Sequence, residues 1–398
     1  MEPRRELSRW RKALRSGRWL PSLAFQAAGR RFRPARGGHL IIGVADHFEP
    51  HHNPAGLPVD QMEAERRIEA WRREYPRAVT EWRDADGHPF KHTYFYPAEQ
   101  SNRALLEAMA AHCREGWGEL EVHLHHGVKA PDTAENTRRL LESLRDELAS
   151  LGCLARREGD GHSSPPRYAF VHGNWALANS WGGRYCGVDN EMRILAETGC
   201  YADFTLPSAP SPPQVAKVNS LYEYAGDPDR PAPHRHGPNL SVGRPPSVFP
   251  IMVQGPLGLD FSRLPPRIEN SEITAAHPPT LSRLRLWRQA GICVKGRPDW
   301  LFIKLHCHGM LPGDAEVMYG DGLRAFLRDL ARVSAAEGFA THFVTAREMT
   351  NIILAACEGR EGNPGDYRDY RFQLRGKAAN WPPLAEAAAN DRAERYLG

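Results

Sequence analysis

The stretch LFIKLHCHGM, residues 301–310, decides the fold. Apart from Lys304 it carries no charge before His306 and His308, and Gly309 closes it. A short run that is apolar on both sides reads as a strand from a sheet covered on both faces. Side chains alternate along a strand, so His306 and His308 face the same way. A buried strand therefore ends in two imidazoles that share a side.

Working outward, the same design recurs. HLIIGVADHF (39–48), KHTYFYP (91–97), GELEVHLHHG (118–127), RYAFVHGNW (167–175), CYADFTLPS (200–208) and FATHF (339–343) read as strands. Helix-favouring stretches separate them at 59–82, 102–113, 132–152, 190–199, 280–290 and 320–338, and a last helix follows 345. In the clearest of these, Asp132 or Thr133 can cap the start, and Gly152 stops the end. Alternating strand and helix predicts parallel β with helices outside. Seven or eight such units predict an α/β fold of irregular (β/α) barrel type with about seven parallel strands, rather than an open doubly wound sheet. Phosphate-binding glycine fingerprints are absent.

The expected domains are a basic N-terminal arm at 1–38, the barrel at 39–355 and a C-terminal extension at 356–398. Within the barrel, 207–279 holds 16 of the 33 prolines and reads as a loop insertion, with SVFPIMVQG (247–255) as a further strand. The arm has a net charge of +9 and the remainder −5. Leu7, Trp10 and Leu14 lie on one helical face of it, so the arm can rest on an anionic membrane surface. Nucleic acid is a weaker expectation for so small a basic patch. Hydrophobic residues at 41%, charged residues at 25%, and no apolar run long enough to span a bilayer point to a soluble chain. The seven cysteines form no C-x-x-C pair, which fits a reducing compartment and a cytoplasmic protein, peripheral to the membrane if the arm binds it.

Eight of the 18 histidines fall in three strand-end clusters. VADHFEPHH supplies Asp46, His47, Glu49, His51 and His52; EVHLHHG supplies His123, His125 and His126; LHCHG supplies His306 and His308. His172 ends the fourth strand and Asp203 lies in the fifth. In a (β/α) barrel the carboxyl ends of strands meet at one mouth. Imidazoles and carboxylates gathered there suit a divalent ion, with Zn²⁺ expected and Co²⁺, Ni²⁺ or Mn²⁺ as alternatives. A neighbouring carboxylate can act as base and a histidine as acid. Singly, each has a plainer reading: His51 and His52 as loop residues, His172 bonded to a carbonyl, Asp203 as a cap. Cys307, between two inward histidines, is expected to face the helices.

In chain order these motifs resemble the polysaccharide deacetylase (NodB-homology) family and its superfamily of irregular seven-stranded barrels. VADHFEP sits where that family has an Asp-Asp pair, and EVHLHHG where it has a two-histidine motif. HGNWAL falls at its loop motif, YADFTLP at the later aspartate, IKLHCHG at Leu-x-His, and GFATHFVTAREM at its closing segment. The likeness spans roughly residues 39–355. It implies Asp46 as catalytic base, and His47 in the place of a metal-binding aspartate. His123 with His126 or His125 would complete the metal site, and His306 would be the acid, oriented by Asp203. His172 and Asn174 stand near a missing arginine. With Trp175, His308 and Glu49 they would contact a carbohydrate substrate. The implied reaction is removal of an acetyl group from an amino sugar. The rivals are glycoside hydrolysis by paired carboxylates, Asp46 or Glu49 with Asp203, and a barrel that only binds glycan.

Overall fold

The first strand, β1 (Gly38–His47), is flanked along its whole length. In the computed structural model, which describes residues 17–30, 38–53, 57–157, 159–160, 164–262 and 264–374, its partner on one side is β9 (Trp300–Cys307). That parallel register runs from His39 opposite Trp300 to Asp46 opposite Cys307. The other side is shared. β10 (Phe339–Phe343) pairs with Gly38–Ile42, and β2 (His92–Pro97) pairs with Val44–His47.

From β2 the sheet continues through β3 (Gly118–Leu124), β4 (Tyr168–His172), β5 (Cys200–Asp203), β7 (Ile251–Val253) and β6 (Leu221–Glu223). Beyond β9 lies β8 (Glu272–Ile273). The protein is thus mixed α/β around a ten-stranded sheet. All its pairings are parallel except that of β6 with β7. The proline-rich stretch contributes β7 as its sequence suggests, and also β6 and β8, too short to show a period.

Helices α1 (Leu20–Arg30), α2 (Gln61–Val79), α3 (Arg103–Arg114), α4 (Ala134–Ser150), α5 (Glu191–Thr198), α6 (Leu281–Gln289), α7 (Pro312–Tyr319), α8 (Asp321–Glu337) and α9 (Ala346–Cys357) connect and cover the strands. Thr133 is the cap of α4, its side chain accepting from Asn136 N. Residues 1–16 of the basic arm, with Leu7, Trp10 and Leu14, and residues 31–37 lie outside the described residues, as does everything after residue 374, while 17–30 of the arm form a short turn and α1. No helix among the described residues is long and apolar enough to cross a membrane.

Each strand sorts its residues by parity. Leu40, Ile42 and Val44 pack with Trp71 and Tyr75 of α2, Leu105 of α3 and Leu141 of α4. Leu120, Val122 and Leu124 of β3, and Leu301, Ile303, Leu305 and Cys307 of β9, join the same layer. Cys307 therefore faces the helices, as expected. The intervening residues Ile41, Ala45, Val171, Trp300 and Phe302 form a second core with Phe95 and Ile251. Helix α9 packs into this second core through Met349, Ile352 and Ile353, and all twelve of its residues are buried.

Two contacts draw distant strands together. A Cβ on Gly255, just past β7, would lie 2.3 Å from the Lys304 carbonyl oxygen of β9, so only glycine permits that approach. Lys304 Nζ donates to the Phe204 carbonyl beyond β5 at 2.7 Å.

Burying all of α9 buries charge as well. Arg347 donates from Nε and Nη2 to Glu119 of β3 at 3.0 and 2.8 Å, and from Nη1 to the Phe372 carbonyl at 2.8 Å. Both side chains are buried. Arg347→Met should therefore cost about 3–5 kcal/mol, because Glu119 would remain as an unpaired buried charge. Urea denaturation of the variant checks this, and Arg347→Met with Glu119→Gln should recover much of the loss.

Candidate active site

Parity also selects which polar residues meet. His47 shares the side of Ile41 and Ala45, His123 opposes Leu120, Val122 and Leu124, and His306 shares the side of Trp300 and Phe302. The three imidazoles converge beyond the carboxyl ends of β1, β3 and β9. The His47 ring lies 4.9 Å from that of His123, 6.3 Å from His306 and 4.7 Å from His308. The indole of Trp175 is 6.5 Å from His47.

Glu49 ties the cluster together. Its Oε1 lies 3.0 Å from His123 Nε2 and 3.3 Å from His125 Nε2, while Oε2 lies 3.1 Å from His52 Nδ1. Ligand atoms of His47, Glu49 and His308 fall within 4.8 Å of one another, and so do those of Glu49, His123 and His125. Burial opposes ionisation of Glu49, but the imidazoles of His123, His125 and His52 that face it outweigh this and hold the carboxyl well below its usual range. Burial pushes His47 well below the usual imidazole range, and the neighbouring His308 and His123 add to this.

The protons of His123 set up a conflict. Its Nδ1 donates to the Val171 carbonyl at 2.7 Å, which leaves Nε2 as a lone pair facing the Glu49 carboxylate. Burial disfavours a second proton on this ring. A cation held by both Nε2 and Oε1 removes the conflict, so the donor set fits a divalent metal. His306 adds a second sign. It is buried, and neither ring nitrogen has a partner among the described residues. Orphaned buried polar atoms are costly, and they are found where a ligand or substrate supplies the missing bond.

Several expected members lie elsewhere. Asp46 shares the parity of Val44 and so faces the helices. It accepts from Gly309 N at 2.7 Å and from His92 Nδ1 at 3.0 Å. A Cβ on Gly309 would lie 2.3 Å from its Oδ2 and against Trp71 of α2. The role of base implied for Asp46 is thus not supported by its position, because adjacent strand residues point to opposite sides. Asp203 does not orient His306: its carboxylate accepts from Thr205 N and Oγ1 at 3.1 and 2.8 Å. Burial raises Asp203 to about 7, opposed by those bonds and by Lys304. Burial likewise lowers the Lys304 ammonium to about 7.

His126 and His172 belong to a separate group with Cys186 and Glu191. Asn174 turns the backbone with φ 55°. Between His125 and His126, it is His125 that faces the ring cluster. It spends Nδ1 on Glu99 at 2.8 Å and Nε2 on Glu49. His52, read from sequence as a loop residue, buttresses Glu49. Glu99 was not anticipated, and its place in a 3-10 turn after β2 carries no periodic signal. Neither a family model nor a curated protein matches the chain.

The unpartnered imidazole leads to a stability prediction. In metal-free protein, His306→Leu should leave stability unchanged or raise it by about 1–2 kcal/mol, since a buried unsatisfied group is removed. His123→Leu should lower it by about 1–3 kcal/mol, since the Val171 carbonyl is orphaned. Chemical denaturation of both variants after chelation decides the point, and the reverse ranking would contradict it.

Proposed function

We propose that the protein is a metal-dependent hydrolase that removes an acyl group from an amino sugar, as a divergent relative of the polysaccharide deacetylases. The sheet is read as an irregular (β/α) barrel closed between β7 and β9, a reading supported by the tight passage of Gly255 against Lys304. The observation that carries the function is the His47–Glu49–His123–His308 cluster beside an imidazole, His306, with two unpartnered nitrogens.

His47, His123, His308 and Glu49 would hold the ion, Zn²⁺ by the chemistry of its imidazole-rich donors. When bound, a divalent ion supplies Lewis-acid polarisation of the acyl carbonyl and makes a water acidic. Glu49, ionised at neutral pH, takes the water's proton, the role the resemblance gives to Asp46. His306 is kept neutral by burial, with Lys304 and His308 adding to the effect. A neutral imidazole has one N–H and one lone pair. That N–H can hydrogen-bond the departing nitrogen, while the proton Glu49 took from the water passes to that nitrogen as the C–N bond breaks. Trp175, half-buried beside His47, offers a flat face for a sugar ring. The glycosidase reading has less support, since Asp46 faces the helices and Asp203 is committed to Thr205.

Acetate release from chitooligosaccharides tests the proposal. Activity should vanish on chelation and return with Zn²⁺. Glu49→Gln should lower kcat by about 10²–10⁴-fold, whereas Asp46→Asn should mainly lower stability. Chelator-resistant turnover, or a fully active Glu49→Gln variant, would sink it. A protein that binds these sugars without turning them over would be a glycan-binding module instead.

A further inference from the structure

The group that departs from the active site is itself a site. His126 follows β3, His172 ends β4, Cys186 lies in the loop that follows, and Glu191 opens α5. All four are buried, and one ligand atom from each falls within 4.8 Å of the others. His126 Nε2 is 3.0 Å from His172 Nε2 and 2.9 Å from Glu191 Oε1, and His172 Nε2 is 3.4 Å from the same oxygen. Cys186 Sγ lies 3.6 Å from Glu191 Oε2.

The outer contacts assign the protons. His126 Nδ1 donates to Asp132 Oδ2 at 3.0 Å, and His172 Nδ1 donates to the Gly173 carbonyl. His172 therefore presents its Nε2 lone pair to the centre, and so does His126 when it carries a single proton. Two lone pairs and a carboxylate within about 3 Å of one another repel unless a cation lies among them. One proton on His126 could serve only part of this set. It would leave the thiol only a long contact to Glu191 Oε2, at 3.6 Å. A metal ion can serve all four donors, and imidazoles whose far nitrogens are held by a carboxylate or carbonyl are the usual form of metal ligands. The remaining positions are held too. Glu191 Oε2 accepts from Ala178 N at 2.6 Å, and Cys186 Sγ accepts from Asn179 N at 3.3 Å and Val188 N at 3.5 Å.

The loop that delivers Cys186 is bent to do so. Asn174, Trp175, Ala178, Asn179 and Tyr185 all have positive φ, between 48° and 60°. Such strain persists only where surrounding structure holds it. The close packing extends to Gly127, at φ 62°: a Cβ there would lie 2.2 Å from the Cys186 carbonyl oxygen.

We propose that His126, His172, Cys186 and Glu191 form a second, structural Zn²⁺ site that staples the 173–190 loop to the ends of β3 and β4. Two imidazoles, a thiolate and a carboxylate make a closed tetrahedral set, and the thiolate favours zinc over the hard cations. The same loop carries Trp175, so the site also fixes one wall of the active centre. The proposal is independent of the hydrolase reading, because it concerns different ligands and a different face of the sheet.

Cobalt separates the two centres, since only this one contains sulfur. The full chain, stripped of metal and reloaded with Co²⁺, should show thiolate-to-cobalt charge-transfer absorption in the near ultraviolet. His123→Ala should keep that band, while Cys186→Ser should abolish it and lower bound metal by one ion per chain. Should Cys186→Ser fail to fold, Glu191→Gln should shift the band and weaken Co²⁺ retention against a competing chelator at least tenfold. A folded, cobalt-loaded wild-type protein without the band would overturn the proposal. So would a band that persists unchanged in both Cys186→Ser and Glu191→Gln.

Discussion

In a strand packed on both sides, consecutive side chains have no choice but to part company, and the chemistry of this protein follows from that geometry. Along β1, Val44 and Asp46 go to the helices while Ala45 and His47 go inward. The same alternation carries on past the strand: Phe48 packs with Trp71 and Tyr94, and Glu49 returns to the rings. His123 with His125, and His306 with His308, obey the same rule. His172, of opposite parity on β4, is thereby sent to the other side, where it meets His126. Two groups of ligand-like residues, close in sequence, are thus kept apart by a sheet one residue thick.

Keeping so many ionisable groups inside requires that each be answered. Glu49 is ionised because three imidazoles face it, and His125 is held between Glu49 and Glu99. Burial opposes a charge on His125, yet these two carboxylates raise it to about 10. His306 stands apart from that cluster: neither of its ring nitrogens has a partner among the described residues, a state it shares with the buried His234. An imidazole left bare beside the ring cluster at the strand ends trades stability for a reactive position.

Much of the framework could be read from the sequence. The strands around β1, β3 and β9 announce themselves as apolar runs, and the caps and glycine stops mark the helices. Gathering of His47, His123, His306 and His308 follows from strand ends alone. What sequence could not resolve was the base. Asp46 is adjacent to His47 in the chain, and only the parity of β1 shows that it turns away while Glu49 turns in. Nor could it find Cys186 and Glu191, which come from a loop and a helix start with no periodicity, or Glu99 behind His125. The short strands β6 and β8 escaped because three residues or fewer carry no pattern.

The position of β1 has a bearing on how the chain is made. Two of its three partners, β9 and β10, lie at residues 300–343 and are translated long after it. Helix α9, which fills the second core, follows later still. Until then a long, apolar, unpaired strand is exposed to other nascent chains, a situation that invites aggregation and the attention of chaperones. Truncation ahead of β9 should therefore be felt first at β1, which would lose two of its three partners.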